Sequence, residues 1–398
     1  MAIQKVGLVG GGKMSSEIFK LLLDTEFEVV LYVRRADAAA ALEEELLKRL
    51  RRRAKKEGDD GAKAQARLNA LKVSTELSEL SDCDLLIESV SEVAAVKVEV
   101  FRQLDGLVKP GAIFTTNTSS LSPSWLSRHL ARPESFAGLH FFFPVSLVRF
   151  VEIVAAEKTL PEIPEQLAEF LRKIGKTPVR IKKEVSAFLI NRVLAAYYNE
   201  GAGIVGEGHW LPGEVDKAGR KIAMMGPCES LDYAGIDVVH NGWLYADENW
   251  GEKDHVLKQT RGLKSWPVMF SKLVADGRLG MKTGLGFYQW DGKRALEDAE
   301  YIRQASSTSA DYHSAPKGDE AVLTERLWMS LVLEACLTLQ RDIGTPEDID
   351  ASVKEILGLE RGPLAWIEHV GRAEARTRAE ALAAVYGPRF EPLGILKA

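Results

Sequence analysis

Cysteine and histidine are both scarce in this chain of 398 residues, which contains 3 Cys and 7 His. The three cysteines, Cys83, Cys228 and Cys336, lie far apart in the sequence. They fit neither a disulfide framework nor the paired spacing of a zinc site. We therefore expect a reducing compartment and no bound metal.

Long apolar runs and a large excess of charge are also missing. No run is long enough to span a bilayer, and the first residues contain no apolar signal core with a cleavage site, so the cytoplasm is the default expectation. The net charge is -5, with 46% hydrophobic and 27% charged residues. This composition is typical of a globular protein and argues against nucleic acid or an anionic membrane as the main partner.

Short apolar segments alternate with helical patterns over residues 1–183. The segments KVGLVG, FEVVLY, LKVST, DLLIESV and AIFTTNT each end in a turn signal. This pattern predicts an α/β Rossmann-like N-terminal domain with a doubly wound parallel sheet. An all-α C-terminal region follows, made of two similar helical units. We assign residues 184–290 to the first helical domain, 291–318 to a linker and 319–398 to the second helical repeat.

The two helical segments align with each other. The gapless part begins at residues 191 and 325, and with two extra residues in the second copy the match continues through a Gly-Pro pair to a final glycine. The paired residues are Arg192 and Arg326, Glu200 and Glu334, Pro212 and Pro346, Asp216 and Asp350, Gly226 and Gly362, Pro227 and Pro363, and Gly235 and Gly371.

A glycine turn follows the first predicted strand in VGLVGGGKMSSEI. Gly10 permits a tight turn, and Gly12 lets the backbone approach a pyrophosphate at the start of a helix. Ser15 occupies the place of the third glycine of this pattern, and it is small enough for close packing. The turn favours a dinucleotide, although a plain tight turn would have the same sequence.

The end of the second strand lacks the carboxylate that binds ribose hydroxyls of NAD. Val33 occupies that place and is followed by Arg34 and Arg35. Two arginines could pair with a 2′-phosphate, or they could simply be solvated.

A basic run covers Lys48–Gly58. A solvated helical face is the plain interpretation of this run, and a site for an anionic group of a ligand is the alternative.

Polar residues in TTNTSSLSPSWL follow another strand. Asn117 and Ser119 would lie at the carboxyl end of the parallel sheet, where such folds bind ligands. Ser120 or Ser122 could cap the helix that starts near Pro123, and such a cap is compatible with a ligand contact made by a different residue.

The stretch GLHFFFPVSLVRFVEIV contains one histidine and one glutamate in an apolar run. Both could be structural core residues. Alternatively, His140 is a general base and Glu152 orients it, with the PVSL segment reversing the chain between them. A buried carboxylate without a partner is costly, which favours such a pair.

Together these segments resemble the 3-hydroxyacyl-CoA dehydrogenase family along the whole chain. The resemblance rests on GGGKMSSEI, DLLIESVSEVAAVKVEVF, TNTSSLS, GLHFFFP, FVEIV, FLINRVL, MGPCESLDYAGID and GRLGMKTGLGFY. The second repeat resembles the dehydrogenase part of multifunctional fatty-acid oxidation enzymes. The resemblance implies an acyl-CoA substrate, with NAD or NADP as cofactor.

The resemblance also implies roles for particular residues. His140 would be the base and Glu152 its partner, with Ser119 and Asn191 around the reacting oxygen. Phe143, which replaces an amide beside His140, would shape the substrate pocket. Independently of the resemblance, the local concentration of positive charge predicts that Lys55 and Lys56 bind the phosphates of CoA. The residues expected at the cofactor are Gly10, Gly12, Lys13, Met14, Val33, Arg34, Arg35, Glu92, Lys97 and Asn117.

The sequence departs from the family at four places. Phe143 stands where the family usually has Asn, Val33 where it has an acidic residue, Ser15 where it has glycine, and Ser186-Ala187 where it has Pro-Gly. Two alternatives stay open: a β-hydroxyacid dehydrogenase acting on a free acid, and a non-catalytic, crystallin-like protein that binds a dinucleotide.

The second repeat has Glu325 where the first has Asn191, which indicates a structural role. A second copy in the same chain can cover the apolar face of the first, so a monomer is an alternative to a homodimer.

Overall fold

A computed structural model describes residues 3–23, 25–57, 67, 69–250, 267–306 and 318–397, without the side chains of residues 46, 50, 51, 53–57 and 247. The chain divides into two compact units between Glu184 and Val185. We call them the N-terminal unit and the C-terminal unit.

The N-terminal unit contains an eight-stranded sheet in the order β3-β2-β1-β4-β5-β6-β7-β8. All neighbouring strands are parallel except β6 and β7, which are antiparallel. The five strands predicted from the sequence are confirmed. The strands are β1 Lys5–Val9, β2 Glu28–Tyr32, β3 Leu71–Ser74, β4 Leu85–Glu88, β5 Ile113–Thr116, β6 Phe136–Phe141, β7 Phe150–Ala155 and β8 Thr177–Ile181.

Helices cover the sheet, and its central strands are buried along their length. Such strands are apolar at nearly every position because both faces are covered. The helices of this unit are α1 Lys13–Leu22, α2 Ala36–Glu57, α3 Ala94–Asp105, α4 Pro123–Ser127 and α5 Glu162–Lys173. The strand order reverses between β1 and β4, and in this topology the crevice at the carboxyl ends of those strands is where ligands bind.

The C-terminal unit is mainly helical. Its helices are α6 Ile190–Gly206, α7 Pro212–Gly219, α8 Pro227–Ala234, α9 Ile236–Asn249, α10 Val268–Ala275, α11 Ala299–Ala305, α12 Glu320–Gln340, α13 Pro346–Leu357, α14 Pro363–Val370 and α15 Arg372–Tyr386. Every helix among the residues described in both units is too short or too polar to cross a membrane.

The segment that we assigned to a linker contains regular structure in its described part. A hairpin of β9 Tyr288–Asp291 and β10 Arg294–Glu297 precedes α11. This segment has the polar composition of a linker because β10 is exposed at every position. Two aspartates anchor β9: Asp216 accepts a hydrogen bond from the Tyr288 hydroxyl at 2.7 Å, and Asp232 accepts one from the Tyr288 N–H at 3.1 Å.

The aligned residues of the two repeats, which we define as residues 191–235 and 325–371, share several local contacts. Asp216 accepts hydrogen bonds from two backbone N–H groups at the start of α8, at 2.8 and 2.9 Å. Asp350 does the same at the start of α14, at 2.8 and 2.7 Å. Gly235 and Gly371 both adopt a positive φ, of 96° and 90°. Each repeat thus closes its turn with the same carboxylate and the same glycine.

The two repeats exchange buried ion pairs. Arg192 Nε lies 3.0 Å from Glu334 Oε1, and Arg326 lies 2.7 Å from Glu200 Oε1. All four side chains are at most 1% exposed. The arginine of each copy pairs with the glutamate of the other, so the repeats face each other through helices α6 and α12. A buried charge that loses its partner is costly, and this exchange fixes the register of the two helices.

We expect Asp350→Ala to destabilise the C-terminal unit by about 1–3 kcal/mol, because two backbone N–H groups lose their acceptor. The measurement is urea unfolding of the whole chain. Glu347→Ala, an exposed carboxylate in the same helix, is the matched control and should change stability by less than about 0.5 kcal/mol. Equal unfolding midpoints for the two variants would contradict this role of Asp350.

Candidate active site

His140 and Glu152 form a buried pair. They lie opposite each other in the antiparallel register of β6 and β7, so both side chains project from the same face of the sheet. His140 Nδ1 lies 2.7 Å from Glu152 Oε2, and Glu152 is completely buried. Because an ionised carboxylate can only accept, the ring donates from Nδ1, which in a neutral imidazole leaves Nε2 as the acceptor. This arrangement suits a general base whose partner fixes its tautomer.

The end of β5 lies beside the histidine strand. Asn117 Oδ1 accepts a hydrogen bond of 2.7 Å from the backbone N–H of Phe141, the residue after His140. Asn117 therefore positions the end of β6, whether or not it also contacts a cofactor. Ser122 accepts from the backbone N–H of Trp125 at 3.1 Å and caps α4, as one of the two sequence alternatives predicted.

Glu92 organises the loop that carries Ser119. It accepts hydrogen bonds from the Ser119 N–H at 3.1 Å, from the Ser120 hydroxyl at 3.0 Å and from the Thr118 hydroxyl. Burial opposes ionisation of this carboxyl, but the charge of Lys97 and the hydroxyl donors outweigh it and lower the pKa of Glu92. The ionised carboxylate holds the backbone of Ser119 at the carboxyl end of β5.

Lys97 is buried between two carboxylates. Its Nζ lies 2.7 Å from Glu88 and 3.2 Å from Glu92. Burial disfavours the charged ammonium, yet the two carboxylates overcome this and raise the pKa of Lys97. At 1% exposure, Lys97 is suited to fixing Glu92 rather than to touching a ligand directly.

Glu88 belongs to the same network of contacts as Lys97, and the sequence analysis did not single it out. It is completely buried at the end of β4, where it accepts from Lys97 and from the Thr116 hydroxyl, each at 2.7 Å. The signal was present in the sequence: a lone carboxylate ends the apolar strand LLIE, just as Glu152 interrupts FVEIV.

The glycine turn joins β1 to α1 at the point where the strand order reverses. Gly10 has a φ of 132°, and a Cβ there would lie 2.6 Å from the Ser89 carbonyl oxygen, so only glycine fits. A Cβ on Gly12 would meet no atom within 4 Å, which leaves open space beside the N-terminus of α1. This space fits the pyrophosphate of a dinucleotide. Ser15 is buried in place of the third glycine, with its hydroxyl 3.3 Å from the Ser89 oxygen.

Val33 and its neighbours lie beside this turn. Val33 is 2% exposed, and its side chain fills the space next to Gly11, where an added Cβ would come within 2.6 Å of it. Arg35 is exposed and pairs with Asp37, with Nε 3.0 Å from Oδ1. Arg34 is also exposed. One of the two arginines therefore already has an anionic partner within the chain.

Lys13, at the start of α1, contacts Phe143, which follows β6. The Lys13 ammonium lies 3.7 Å from the centre of the Phe143 ring, and Phe143 is 48% exposed. Met14 is partly buried and packs against the core of the sheet.

Asn191, Lys55 and Lys56 are the three remaining predicted site residues. Asn191 is in the first turn of α6 in the C-terminal unit, shortly after Ala187 and Phe188, whose φ values are 62° and 52°. The side chains of Lys55 and Lys56 lie outside the described residues, and their contact with CoA stays a prediction. Within the described ranges, no three His, Cys, Asp or Glu side chains cluster to hold a metal ion.

Two family models match this chain. The model "3-hydroxyacyl-CoA dehydrogenase, NAD binding domain" matches residues 5–185. The model "3-hydroxyacyl-CoA dehydrogenase, C-terminal domain" matches residues 188–290 and again residues 323–397.

Individual relatives cover different shares of the chain. The hydroxyacyl-coenzyme A dehydrogenase of Sus scrofa mitochondria is 34% identical over 72% of this chain and 91% of its own length. The fatty acid oxidation complex subunit alpha of Shewanella amazonensis is 32% identical over 82% of this chain. The chain spans about half the length of that subunit, 45%.

Two solved structures have similar folds. The 3-hydroxybutyryl-CoA dehydrogenase of Escherichia coli K12 has a TM-score of 0.81 and 27% identity, and covers 100% of this chain and 98% of its own. The (S)-3-hydroxybutyryl-CoA dehydrogenase of Ralstonia eutropha has a TM-score of 0.65 and 28% identity, and covers 73% of this chain and 100% of its own. The matching domains and relatives show that this chain belongs to the 3-hydroxyacyl-CoA dehydrogenase family, whose N-terminal domain binds NAD(P).

Proposed function

We propose that this chain interconverts a 3-hydroxyacyl-CoA and a 3-oxoacyl-CoA. The observation that carries the proposal is the buried His140–Glu152 pair. His140 lies near the carboxyl end of β6, and the glycine turn follows the carboxyl end of β1, so both lie on the same side of the sheet's strand ends. The nicotinamide cofactor, when bound, supplies the hydride acceptor or donor. The cytoplasmic location expected from the sequence stays a prediction.

In the oxidative direction, His140 Nε2 removes the proton from the 3-hydroxyl group while C3 loses hydride. Glu152 stabilises the imidazolium that forms, because its carboxylate lies 2.7 Å from the opposite ring nitrogen. Ser119 and Asn191 are proposed to donate hydrogen bonds to the reacting oxygen. In the reverse direction, the same imidazolium returns the proton.

A non-catalytic, crystallin-like protein would gain little from this pair. A carboxylate that is completely buried must have a partner, and an apolar pair of the same volume would do as well or better for stability alone. A titratable imidazole as the partner is useful mainly where a proton moves. The pair therefore favours the enzyme over the binding protein.

We expect His140→Gln to lower kcat by about 10²–10⁴-fold, because the general base is lost. Glu152→Gln should also lower kcat, since an amide cannot stabilise the imidazolium. The measurement is the absorbance of NADH during reduction of acetoacetyl-CoA. His209→Gln, an exposed histidine, is the control and should keep normal turnover. A His140→Gln enzyme within a few-fold of the unaltered one would exclude the proposed base.

The cofactor preference follows from Val33. We propose that the chain discriminates weakly between NAD and NADP, because Val33 offers no carboxylate to bind ribose hydroxyls or to repel a 2′-phosphate. Arg34 is exposed, whereas Arg35 must leave Asp37 to reach a phosphate. Asp37 therefore limits how far the preference shifts toward NADP.

We expect Val33→Asp to shift the ratio of the NADH and NADPH dissociation constants toward NADH by roughly 10–100-fold, the size of one charge-assisted hydrogen bond. Asp37→Asn should tighten NADPH binding by several-fold and leave NADH unchanged, because Arg35 loses its partner. Fluorescence titration measures both constants, and thermal unfolding checks that the new carboxylate at this buried position is tolerated. Strong NADH selectivity in the unaltered chain that neither variant alters would contradict this assignment.

We further propose that the chain is a monomer, because its second repeat covers the helical face of the first. The support is the exchange of buried ion pairs between α6 and α12, together with the Ralstonia eutropha structure, which covers only 73% of this chain.

Light scattering coupled to size-exclusion chromatography should give the mass of one chain at micromolar concentration. Twice that mass, unchanged on dilution, would contradict the proposal.

A further inference from the structure

The contact between Lys13 and Phe143 connects two segments that are far apart in the sequence. Lys13 is the first residue of α1, directly after the glycine turn, and Phe143 is in the loop that follows the histidine strand. The Lys13 ammonium lies 3.7 Å from the ring centre, which is a cation–π distance. Phe143 stands where asparagine is usual in the family that this sequence resembles, and an asparagine could not make this contact.

The loop that carries Phe143 is fixed from inside the unit. Lys176 is 6% exposed, and its ammonium donates to the Val148 carbonyl at 2.7 Å and to the Val145 carbonyl. The Val148 N–H closes the turn on the Pro144 carbonyl at 3.1 Å. The buried ammonium therefore holds the backbone of the loop without help from the Phe143 ring.

The Phe143 ring is not part of the hydrophobic core. It is 48% exposed, and Leu147 in the same loop is 74% exposed. A large exposed ring on a fixed loop contributes little to folding but can hold a neighbouring group in place.

Lys13 lies at the place where the N-terminal unit would bind the cofactor pyrophosphate. Gly12 caps α1, and the space beside it is open, since a Cβ there would meet no atom within 4 Å. The helix N-terminus favours an anion, and an ammonium beside it adds a full positive charge. A lysine side chain is flexible, so holding it in one position before binding reduces the entropy lost when the ligand binds.

We propose that Phe143 is a positioning residue, whose ring holds the Lys13 ammonium beside Gly12 for the pyrophosphate of the cofactor. The proposal rests on the proposed function, because it requires a dinucleotide at the glycine turn. It assigns this chain a phosphate contact that offsets part of the ribose contact missing at Val33. The exchange of asparagine for phenylalanine then acts on cofactor affinity rather than on the acyl group.

A double-mutant cycle on the full chain tests the proposal, with the dissociation constant of NADH measured by fluorescence titration without acyl-CoA. We expect Lys13→Met to weaken NADH binding by roughly tenfold, the size of one charge-assisted contact. Phe143→Leu should weaken it by roughly 2–5-fold, the size of an exposed cation–π contact. The double variant should bind no more weakly than Lys13→Met alone, because the ring acts through the lysine.

Two further measurements separate positioning from other roles of the ring. Phe143→Tyr keeps an aromatic face and should retain normal affinity. ADP-ribose carries the pyrophosphate without the nicotinamide. Lys13→Met and Phe143→Leu should therefore weaken the binding of ADP-ribose as much as they weaken the binding of NADH. Salt should weaken NADH binding less in Lys13→Met than in the unaltered chain.

Unchanged NADH affinity in either single variant, or effects that multiply in the double variant, would overturn the proposal. So would an effect of Phe143→Leu that disappears with ADP-ribose, since the ring would then contact the nicotinamide. These outcomes leave the dehydrogenase proposal intact. Failure of the unaltered chain to bind any nicotinamide dinucleotide would instead overturn both.

Discussion

A buried charge must have a partner, and four buried glutamates of this chain each contact one. Glu88, Glu152, Glu200 and Glu334 are all completely buried. Glu88 contacts Lys97, Glu200 contacts Arg326, and Glu334 contacts Arg192. Removing one partner of such a pair typically costs about 3–5 kcal/mol, so each partner is fixed in place by the carboxylate it serves.

Glu152 differs from the other three in the nature of its partner. The other three carboxylates pair with lysine or arginine, which serve as cations, whereas Glu152 contacts the imidazole of His140, the side chain type most often used as a general base. The same physical constraint therefore produces ion pairs at three positions and the proposed proton-transfer site at the fourth. The antiparallel pairing of β6 with β7 decides this outcome, because it alone sets His140 opposite Glu152 in the sheet.

The sequence predicted the features that depend on local pattern. The five parallel strands, the glycine turn and the cap at Ser122 follow from apolar periodicity and turn chemistry, and the structure contains each of them. The partner of Glu152 was also predictable, because only one histidine lies near it across a short reversal. Glu88 was missed, since its partners Lys97 and Thr116 come from other elements and sequence spacing does not bring them together.

Side-chain directions and contacts between segments distant in the sequence could not be predicted in the same way. The ion pair of Arg35 with Asp37 is local, but its effect on a bound phosphate depends on side-chain directions that the sequence leaves open. The contact of Lys13 with Phe143 requires the sheet to bring two loops together across 130 residues of chain. The hairpin β9–β10 resembled a linker because its exposed strand has the composition of one.

The second repeat has a structural contact at the position that corresponds to Asn191, a proposed site residue of the first. Glu325 aligns with Asn191, and it pairs with Arg378, with Oε1 2.7 Å from Nε. A carboxylate that is ion-paired to an arginine accepts hydrogen bonds and cannot donate one to a reacting oxygen. The substitution that removes the amide thus fixes α12 to α15 within the second repeat. Arg326, the next residue, turns instead toward Glu200 of the first repeat. Two adjacent residues of α12 therefore link the second copy to itself and to the first copy, which supports the proposed covering role of the second repeat.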